Sequence, residues 1–429
     1  MSPTFASLSI YNYRVYAAGA IVSNVGTWMG RVAQDWLVLT ELTSHDSTAL
    51  GIVTGLQFAP VVLLAPYAGS LTDRLPKRRL LYLTQSALAL TSAILALLVL
   101  THTAQLWHVY ALALAQGVAT ALDNPTRQAF VSEMVPQDKL TNAVGLNSAS
   151  FNAGRLIGPA VAGLLIAAIG TGWTLVANTI SFVGVLVALK MMRGNELRPA
   201  PRATGRGGVR AGLAYVRGRP DIMLLMAIVF MLGTFGMNFQ ITIALMSTAV
   251  FHEGAEAYGL LGSVMAIGSL SAALMTARRP RPRLRILLTA LVGFTIASAA
   301  AALAPAYWLF GLLLIPTGLA AMTVMTTANS SVQLSVDPVM RGRVMALYMA
   351  IFMGGTPLGA PLIGWIGSAW GPRWTILVGS IATGLTAIAA ILYLMRSKDL
   401  AVRLERHPWH LQVLPRREAA DAITPERVA

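Results

Sequence analysis

The chain has 429 residues, of which 55% are hydrophobic and only 11% are charged, and its mean hydropathy is +0.64. Soluble domains carry about 25% charged residues, so this composition excludes an ordinary soluble globule and predicts an integral membrane protein. The absence of cysteine excludes disulfides and thiolate metal sites. The net charge of +15 would suit a nucleic-acid binder, but the positions of the basic residues argue for membrane topology instead.

Twelve apolar segments are long enough to form spanning helices, which need about 20 mostly apolar residues. None shows the period-2 alternation of a membrane strand, so the predicted fold class is all-α and integral to the membrane. In chain order the predicted segments 1 to 12 are Tyr13–Leu39, Ala49–Leu71, Leu80–Leu100, Trp107–Gln128, Leu140–Ile169, Trp173–Met192, Met223–Phe251, Tyr258–Met275, Ile286–Leu303, Trp308–Val336, Val344–Trp370 and Trp374–Met395.

Basic residues alternate between the connections. They cluster at 74–79 after segment 2, at 198–219 after segment 6 and at 278–285 after segment 8, whereas the connections after the odd-numbered segments contain only Arg373. The positive-inside rule therefore predicts that both termini are cytoplasmic. The charge is explained by topology, so we expect membrane lipid and no nucleic acid as a partner.

The two halves of the chain repeat each other. A single offset of 201 residues pairs glycines of segments 4 and 5 with glycines of segments 10 and 11: Gly117 with Gly318, Gly154 with Gly355, Gly158 with Gly359 and Gly163 with Gly364. We therefore expect two homologous six-helix bundles that move against each other around a central site. The predicted boundaries are 1–193 for the first bundle, 194–219 for an Arg/Gly/Pro-rich cytoplasmic linker, 220–395 for the second bundle and 396–429 for a polar, partly disordered cytoplasmic tail.

Two motifs give the chain a family resemblance. The first is the charged connection between segments 2 and 3, with Gly69, Asp73, Arg74, Lys77 and Arg78, which the sequence predicts to be a tight turn. The second is the glycine pattern of segment 5: Gly145, Gly154, Gly158, Pro159 and Gly163.

With local stretches such as Gly26-Thr27-Trp28-Met29 and Asp123-Asn124-Pro125-Thr126-Arg127-Gln128, the chain resembles the major facilitator superfamily. Within it, the match is to the enterobactin-exporter-like branch, whose members are called transmembrane secretion effectors. The resemblance implies twelve transmembrane helices in two bundles, alternating access, a monomer and the cytoplasmic (inner) membrane of a bacterium.

The resemblance also implies roles for both motifs. In the family, the acid at Asp73 holds the start of helix 11, and the nearby bases pair with an acid low in helix 4, for which Asp123 fits. Together these contacts form a lock that stabilises the outward-facing state; the alternative is a solvated, positively charged turn. The glycine pattern, which antiporters of the family carry, seals the bundle interface; the alternative is ordinary packing of small residues.

Ionisable residues inside a bilayer are costly and usually functional. Arg31 and Asp35 are four residues apart on segment 1 and share a helix face. They either pair with each other or make Asp35 a proton acceptor that Arg31 tunes. Arg155 has no obvious acid at its depth, so it contacts either carbonyl and amide groups or an anionic substrate. Proton-driven drug exporters of the family usually carry an arginine where this chain has Ala113, so a proton relay must be built otherwise.

Other residues suit an adaptable substrate pocket. Met345, Met349 and Met353 share one face of segment 11, and flexible thioethers suit varied apolar ligands. Amides that could supply polar contacts are Gln57, Gln116, Asn147, Asn152, Asn238 and Gln240.

No enzyme signature, phosphate-binding loop or metal-ligand spacing is present, so no cofactor is expected, and the proton gradient is the expected energy source. We therefore predict a proton-coupled exporter of small amphipathic compounds, either drugs or secreted metabolites such as siderophores. Substrate charge stays open, with a neutral or anionic cargo favoured. The alternatives are a nutrient importer on the same fold and a membrane scaffold or sensor that does not transport.

Overall fold

A computed structural model of the chain describes residues 3–198, 209–277, 282–397, 400–406 and 409–415. Within these ranges the chain is helical except for connections and one hairpin near its end. The helices are α1 (Tyr11–Trp36), α2 (Ser47–Leu63), α3 (Ala65–Arg74), α4 (Lys77–Leu100), α5 (Leu106–Met134), α6 (Gln137–Met191), α7 (Val209–Arg217), α8 (Pro220–Met231), α9 (Phe239–Leu245), α10 (Ala255–Ala277), α11 (Leu284–Leu303), α12 (Tyr307–Ser335), α13 (Pro338–Trp370) and α14 (Pro372–Ser397).

Eight helical spans in the described part of the chain are long and apolar enough to cross a membrane. One of them, α6, has 55 residues and contains Gly170 at a φ of +84°, a conformation open to glycine but strained for other residues. The helix therefore bends there into a first arm (137–169) and a second arm (171–191). This bend matches the predicted boundary between segments 5 and 6.

The charged connection between segments 2 and 3 is shorter than predicted. Gly69 and Arg74 belong to the last turns of α3, and Lys77 opens α4, so only Leu75 and Pro76 lie outside helices. Leu75 is extended, as expected for a residue before proline. The prediction of a turn over the whole motif was therefore wrong, because the proline alone ends one helix and permits the next.

Two other predicted segments are interrupted. Segment 2 divides at Leu64 into α2 and α3, with Pro66 in the first turn of α3. Segment 7 divides into α8 and α9, with a π-helical stretch, Leu232–Gly236, and a break at Met237 and Asn238 between them. Interruptions of this kind leave backbone groups free at membrane depth, which a transporter tolerates only next to protein or a cavity.

The two halves of the chain are joined at one end. Helix α2 packs against α13 and the first arm of α6 packs against α10. One hydrophobic cluster at this end draws on both halves, from Leu50 and Leu95 to Phe310 and Ile363. At the other end each half has a cluster of its own, around Phe130 in the first and Phe294 in the second. The core therefore closes one side of the molecule and leaves the halves separate on the other.

Large apolar side chains also cover the outside. Leu83, Leu90 and Leu97 recur every seven residues on one face of α4, and each is more than 60% exposed. A soluble protein rarely exposes such a continuous apolar stripe, and in a bilayer it faces lipid.

The described part of the chain closes with a small hairpin. Strands β1 (Leu400–Arg406) and β2 (Trp409–Pro415) pair antiparallel, with Val402 opposite Val413 and Leu404 opposite Leu411. Composition predicts a partly disordered tail from residue 396, yet the alternation of apolar and polar residues along 400–406 and 409–415 is a strand signal.

Candidate functional site

A polar cavity lies among the helices of the first half and reaches one residue of the second half, Met353 on α13. It contains about 670 Å³ of empty space, part of it open to solvent. Its lining holds one base and no acid, together with five side-chain amides. The lining residues are Thr27, Gly30, Arg31, Gln34, Gln57, Phe58, Val61, Leu88, Gln116, Gly117, Thr120, Asn124, Leu175, Asn178, Phe182 and Met353.

Arg31 is the base of this cavity. The carbon at the centre of its guanidinium lies 5.0 Å from the centre of the Trp28 ring and 5.4 Å from that of Phe58. These distances are in the range of cation–π attraction. Within the described chain, no carboxylate oxygen lies within 4.0 Å of its guanidinium nitrogen atoms. The aromatic rings stabilise the charge without neutralising it.

Arg155 approaches Trp28 as well, with its guanidinium carbon 5.7 Å from the ring centre. The side chain is partly exposed and does not belong to the cavity lining. Within the described chain it makes no hydrogen bond to a carbonyl or an amide, and the Trp28 ring is the attractive partner that the structure records for it.

Gln34 lies one helical turn beyond Arg31 and also lines the cavity. It is only 2% exposed. Its Oε1 accepts a hydrogen bond of 3.3 Å from Nε2 of Gln57, whereas its own Nε2 has no partner among the described atoms. A buried donor without an acceptor is unusual and costs free energy, so this part of the cavity is suited to an acceptor group.

Asp35 turns away from the cavity and towards the second half. It is 3% exposed, and the hydroxyl of Tyr258 on α10 donates a hydrogen bond of 3.0 Å to its Oδ2. Asp35 and Arg31 share a helix, as predicted, but they do not form an ion pair within 4.0 Å. The structure therefore does not contain the ion pair between Arg31 and Asp35 that was one of the two alternatives.

The remaining predicted pocket residues are dispersed. Asn152 donates to the carbonyl of Ser148 on its own helix, and Asn238 is buried and donates to the carbonyl of Thr234; neither lines the cavity. Of the three methionines on one face of α13, only Met353 does. The sequence assigns these residues to helices but does not define their rotation about the helix axis.

The glycine motif permits close packing on two neighbours. A Cβ at Gly154 or Gly158 would fall within 3.0 Å of α1 atoms, and one at Gly163 would lie 2.8 Å from the Cα of Glu256 on α10. Pro159 also contacts α10, next to Gly262. Gly145 differs, since no described atom lies within 4 Å of its Cβ position. Three of the four glycines therefore make the close approach that the pattern predicts.

A second contact between the halves forms where α2 begins. Ser47 donates a hydrogen bond of 2.7 Å to the carbonyl of Gly364 on α13 and lies 2.9 Å from the hydroxyl of Ser368. The Ser368 hydroxyl donates to Oδ1 of Asp46 at 3.0 Å. Together with the contact of Gly163 on α10, this cluster closes the same side of the molecule.

The charged motif at the opposite end has different partners from those predicted. Lys77 forms a buried ion pair of 2.7 Å with Glu133 on α5, and Arg78 donates to the carbonyl of Leu189. Asp123 does not pair with these bases. Glu133 lies ten residues further along α5, about 15 Å nearer that end, and the predicted segment 4 ended at Gln128, before it reached this residue.

Asp123 is instead the centre of a buried network inside the first half. It accepts hydrogen bonds of 2.7 Å from both Thr84 and Gln85, and it pairs with Arg127 at 2.6 Å. The hydrogen bonds and the ion pair of Asp123 thus hold the first half together.

For the rest of the charged motif, Gly69 has no described atom within 4 Å of its Cβ position and Arg74 is exposed. The side chain of Asp73 lies outside the described part.

Sequence reasoning missed several residues of the site. Gln34 had a signal, because a residue three positions from Arg31 shares its helix face. Asn124 and Asn178 lie on helices whose rotation the sequence does not define, and Tyr258 had no signal at all. Glu133 would have been included if the predicted segment 4 had extended to the end of α5.

Apolar helices in two halves, with an amide-lined cavity that lies mainly in the first half, are the arrangement of a membrane transporter of the major facilitator type, not of an enzyme. The chain belongs to the transmembrane secretion effector family, whose model matches residues 2–421. The predicted resemblance is confirmed, as is the predicted class of a multi-pass protein of a bacterial cytoplasmic (inner) membrane.

Characterised relatives cover most of the chain at low identity. The staphyloferrin A transporter of Staphylococcus aureus is 26% identical over 89% of this chain and 95% of its own length. The multidrug efflux pump Tap of Mycolicibacterium fortuitum is 27% identical over 89% and 96%. The enterobactin exporter EntS of Shigella flexneri is 24% identical over 83% and 85%.

Among solved structures, the fold is similar to that of a bacterial homologue of the human lysosomal transporter Spinster in an inward-facing, unoccupied conformation. The TM-score is 0.70 at 16% identity, over 91% of this chain and 97% of that one. This likeness concerns the fold alone.

Proposed function

We propose that the protein is a proton-coupled exporter of small amphipathic compounds. The family description, secretion effector, supports outward transport. The relatives named for a siderophore and for drugs support a substrate of either kind. The cavity that Arg31, Gln34 and Gln57 line is the proposed substrate site, and Met353 is the contribution of the second half to it.

The proposal includes a topology. The chain crosses the membrane twelve times. Helix α1 forms one pass with the π-helical stretch that follows it, Leu37–Leu42, as do α2 with α3 and α8 with α9, and each of the two arms of α6 is a pass of its own. The first six passes (1–193) and the last six (220–395) form two bundles, the linker (194–219) and the tail (396–429) are cytoplasmic, and the molecule works as a monomer. With both termini inside, the closed side of the structure faces outwards and the conformation is inward-open.

The observation that carries proton coupling is the position of Asp35 between the two halves. An ionised carboxylate is costly to bury, and closure of the outer side buries Asp35 against Tyr258. A proton taken up from outside therefore favours closure, which is the return step of an exporter after it has released its substrate. Arg31, Arg155 and Asp123 are not needed as carriers in this scheme, since the first two are cations and the third is held by its network.

The two sequence motifs act at opposite sides. The glycine motif and the Ser47 cluster hold the outer side shut in the inward-open state. The charged motif around Asp73 and Arg74 locks the inner side in the outward-open state, while the Lys77–Glu133 pair and the Arg78 contact fasten α4 within its own bundle. The exposed surroundings of Gly69 are consistent with an open inner side.

The test is transport in proteoliposomes with a pH-sensitive dye inside. The panel contains ethidium, a macrolide, enterobactin and staphyloferrin A. Substrate-evoked proton movement in the wild type, lost in Asp35→Asn and kept in Glu253→Gln, is the expected result; Glu253 is the control because it is an exposed acid on the same side and takes no part in the described contacts between the halves. Substrate movement without protons would overturn the coupling.

The same vesicles separate the two alternatives. A nutrient importer would accumulate its substrate towards the side that carries the termini, and an exporter away from it. A scaffold or sensor would move none of the compounds even when the protein is folded.

A further inference from the structure

We infer that the cavity selects substrates that carry an anionic group, above all a carboxylate, joined to an aromatic or apolar body. The inference rests on the proposed transport function, since it takes the cavity to be the substrate site, and it goes further by naming the chemical class. The anion binds Arg31 and the free amide donor of Gln34, and the apolar body lies along Phe58, Phe182 and Met353.

Charge is the first argument. Arg31 is the only ionisable side chain among the described residues that line the cavity, and five amides accompany it. A site for a cation would need a carboxylate, yet Asp35, the nearest acid on the same helix, is held by Tyr258 outside the lining. A hydrophobic cation entering the cavity would therefore meet a like charge in a medium of low dielectric.

The unused donor of Gln34 is the second argument, and it is independent of the charge. Gln34 is 2% exposed, Gln57 fixes its oxygen, and its Nε2 remains without an acceptor. Arg31 and Gln34 are three residues apart on α1, so their donors lie on one helix face. A carboxylate has two oxygens and accepts from both donors at once, and such charge-assisted hydrogen bonds are the strong ones.

Aromatic rings complete the site. Trp28 and Phe58 lie within cation–π distance of the Arg31 guanidinium, which limits its rotation without supplying a negative charge. The arginine is thereby held in place for an incoming anion. Phe182 and Met353 offer the apolar surface, and Met353 links occupancy of the site to the second half.

The experiment compares three probes with the same naphthalene body: 2-naphthoate, its neutral isostere 2-naphthamide and the cation (2-naphthylmethyl)trimethylammonium. Each is equilibrated by dialysis against the full-length protein in nanodiscs, with empty nanodiscs as the blank for partitioning. We expect the naphthoate to bind about tenfold more tightly than the amide, and the cation to bind least, because a charge-assisted hydrogen bond replaces a neutral one.

Variants assign the preference to the site. Arg31→Gln removes the preference for naphthoate over the amide, and Gln34→Leu reduces it. Arg193→Gln keeps it, and this variant is the matched control because Arg193 also stacks on an aromatic ring, that of Tyr11, but lies outside the lining. Arg31→Lys retains part of the preference, which separates a loss of charge from a loss of folding; all variants are compared by melting temperature.

Equal binding of naphthoate and amide, preference for the cation, or binding of none of the three to the wild type overturns the inference. So does an unchanged preference in Arg31→Gln. These outcomes are distinct from failure of the proposed function, because dialysis measures charge preference without transport. Anion-selective binding in a protein that moves no substrate would contradict the exporter proposal alone, and export of ethidium without anion preference would contradict this inference alone.

Discussion

The hydroxyl of Tyr258 and the carboxyl of Asp35 are joined by a buried hydrogen bond of 3.0 Å between residues 223 positions apart in the chain. Each residue belongs to a different half, Asp35 to α1 and Tyr258 to α10. The bond therefore exists only while the two halves meet on the closed side. It links a titratable group, Asp35, to the conformation of the molecule. Substitution of Asp35 tests the titration, and substitution of Tyr258 tests the conformation.

Replacement of the acid tests proton transfer. Asp35→Asn keeps an oxygen that accepts from Tyr258 but cannot take up a proton, so closure is preserved while coupling is lost. We expect substrate-evoked proton movement to fall to the level of empty proteoliposomes, with a melting temperature close to that of the wild type. A variant that still moves protons with substrate would show that another group carries them.

Replacement of the tyrosine tests closure. Tyr258→Phe removes the hydrogen bond and leaves the carboxyl able to titrate, so the outer side opens more often. A hydrogen bond contributes about 1 kcal/mol, which corresponds to a roughly fivefold shift towards the outward-open state. The distance between spin labels at Thr103→Cys and Pro305→Cys, both exposed on the closed side, reports the shift, and the chain has no native cysteine to remove. An unchanged distance distribution would contradict a role in closure.

The closed side also shows what a sequence can and cannot predict. The offset of 201 residues pairs Gly163 with Gly364, and in the structure each makes a close contact with a helix of the other half: Gly163 with α10 and Gly364 with the start of α2, at Ser47. The spacing of the glycines within each helix was sufficient to predict close contacts at these positions, because a close approach of two helices needs a small residue at the contact itself. The contact of Asp35 was not predictable, because it depends on how two distant helices are placed.

The partner of Lys77 was missed for a different reason. The predicted fourth segment ends at Gln128, where hydropathy falls, whereas the hydrogen-bonded helix continues to Met134. Apolar runs define the part of a helix that lies in lipid, and polar extensions beyond it carry the ion pairs. The same limit applies to the cavity: Arg31 and Gln57, chosen from residue type, line it, whereas Asn152 and Asn238 do not, because residue type does not define rotation about the helix axis.

The glycine motif gives a steric prediction. A Cβ at Gly163 would meet backbone atoms of α10, including the Cα of Glu256 at 2.8 Å, and backbone moves less readily than a side chain. Gly163→Ala should therefore disfavour the inward-open state and slow transport. Gly184→Ala on the second arm of the same helix is the control, because no described atom lies within 4 Å of its Cβ position. If the spin-label distances of the two variants agree, Gly163 has no part in closure.

The charged motif predicts a shift of the conformational equilibrium opposite to that of Gly163→Ala, towards the inward-open state. If Asp73 stabilises the outward-open state, Asp73→Asn lowers the population of that state and increases the distance between labels at Gln137→Cys and Ser335→Cys, both exposed on the open side. Asp138→Asn is the control, since Asp138 is an exposed acid near that end of α6 but outside the motif. A solvated turn without a lock would give equal distances in the two variants.

The buried pair of Lys77 and Glu133 makes a prediction about stability. Their side chains are 10% and 9% exposed, and loss of one partner leaves a buried charge without compensation, at a cost of about 3–5 kcal/mol. Glu133→Gln should therefore lower the melting temperature clearly, and Lys77→Met combined with Glu133→Leu should restore most of it, because apolar residues can replace a buried pair. Glu196→Gln is the matched control. It breaks the pair between Arg193 and Glu196, whose side chains are 58% and 41% exposed, and such surface pairs contribute little to stability. Equal effects of Glu133→Gln and Glu196→Gln would mean that water reaches Lys77 and that the pair does not fasten α4 to α5.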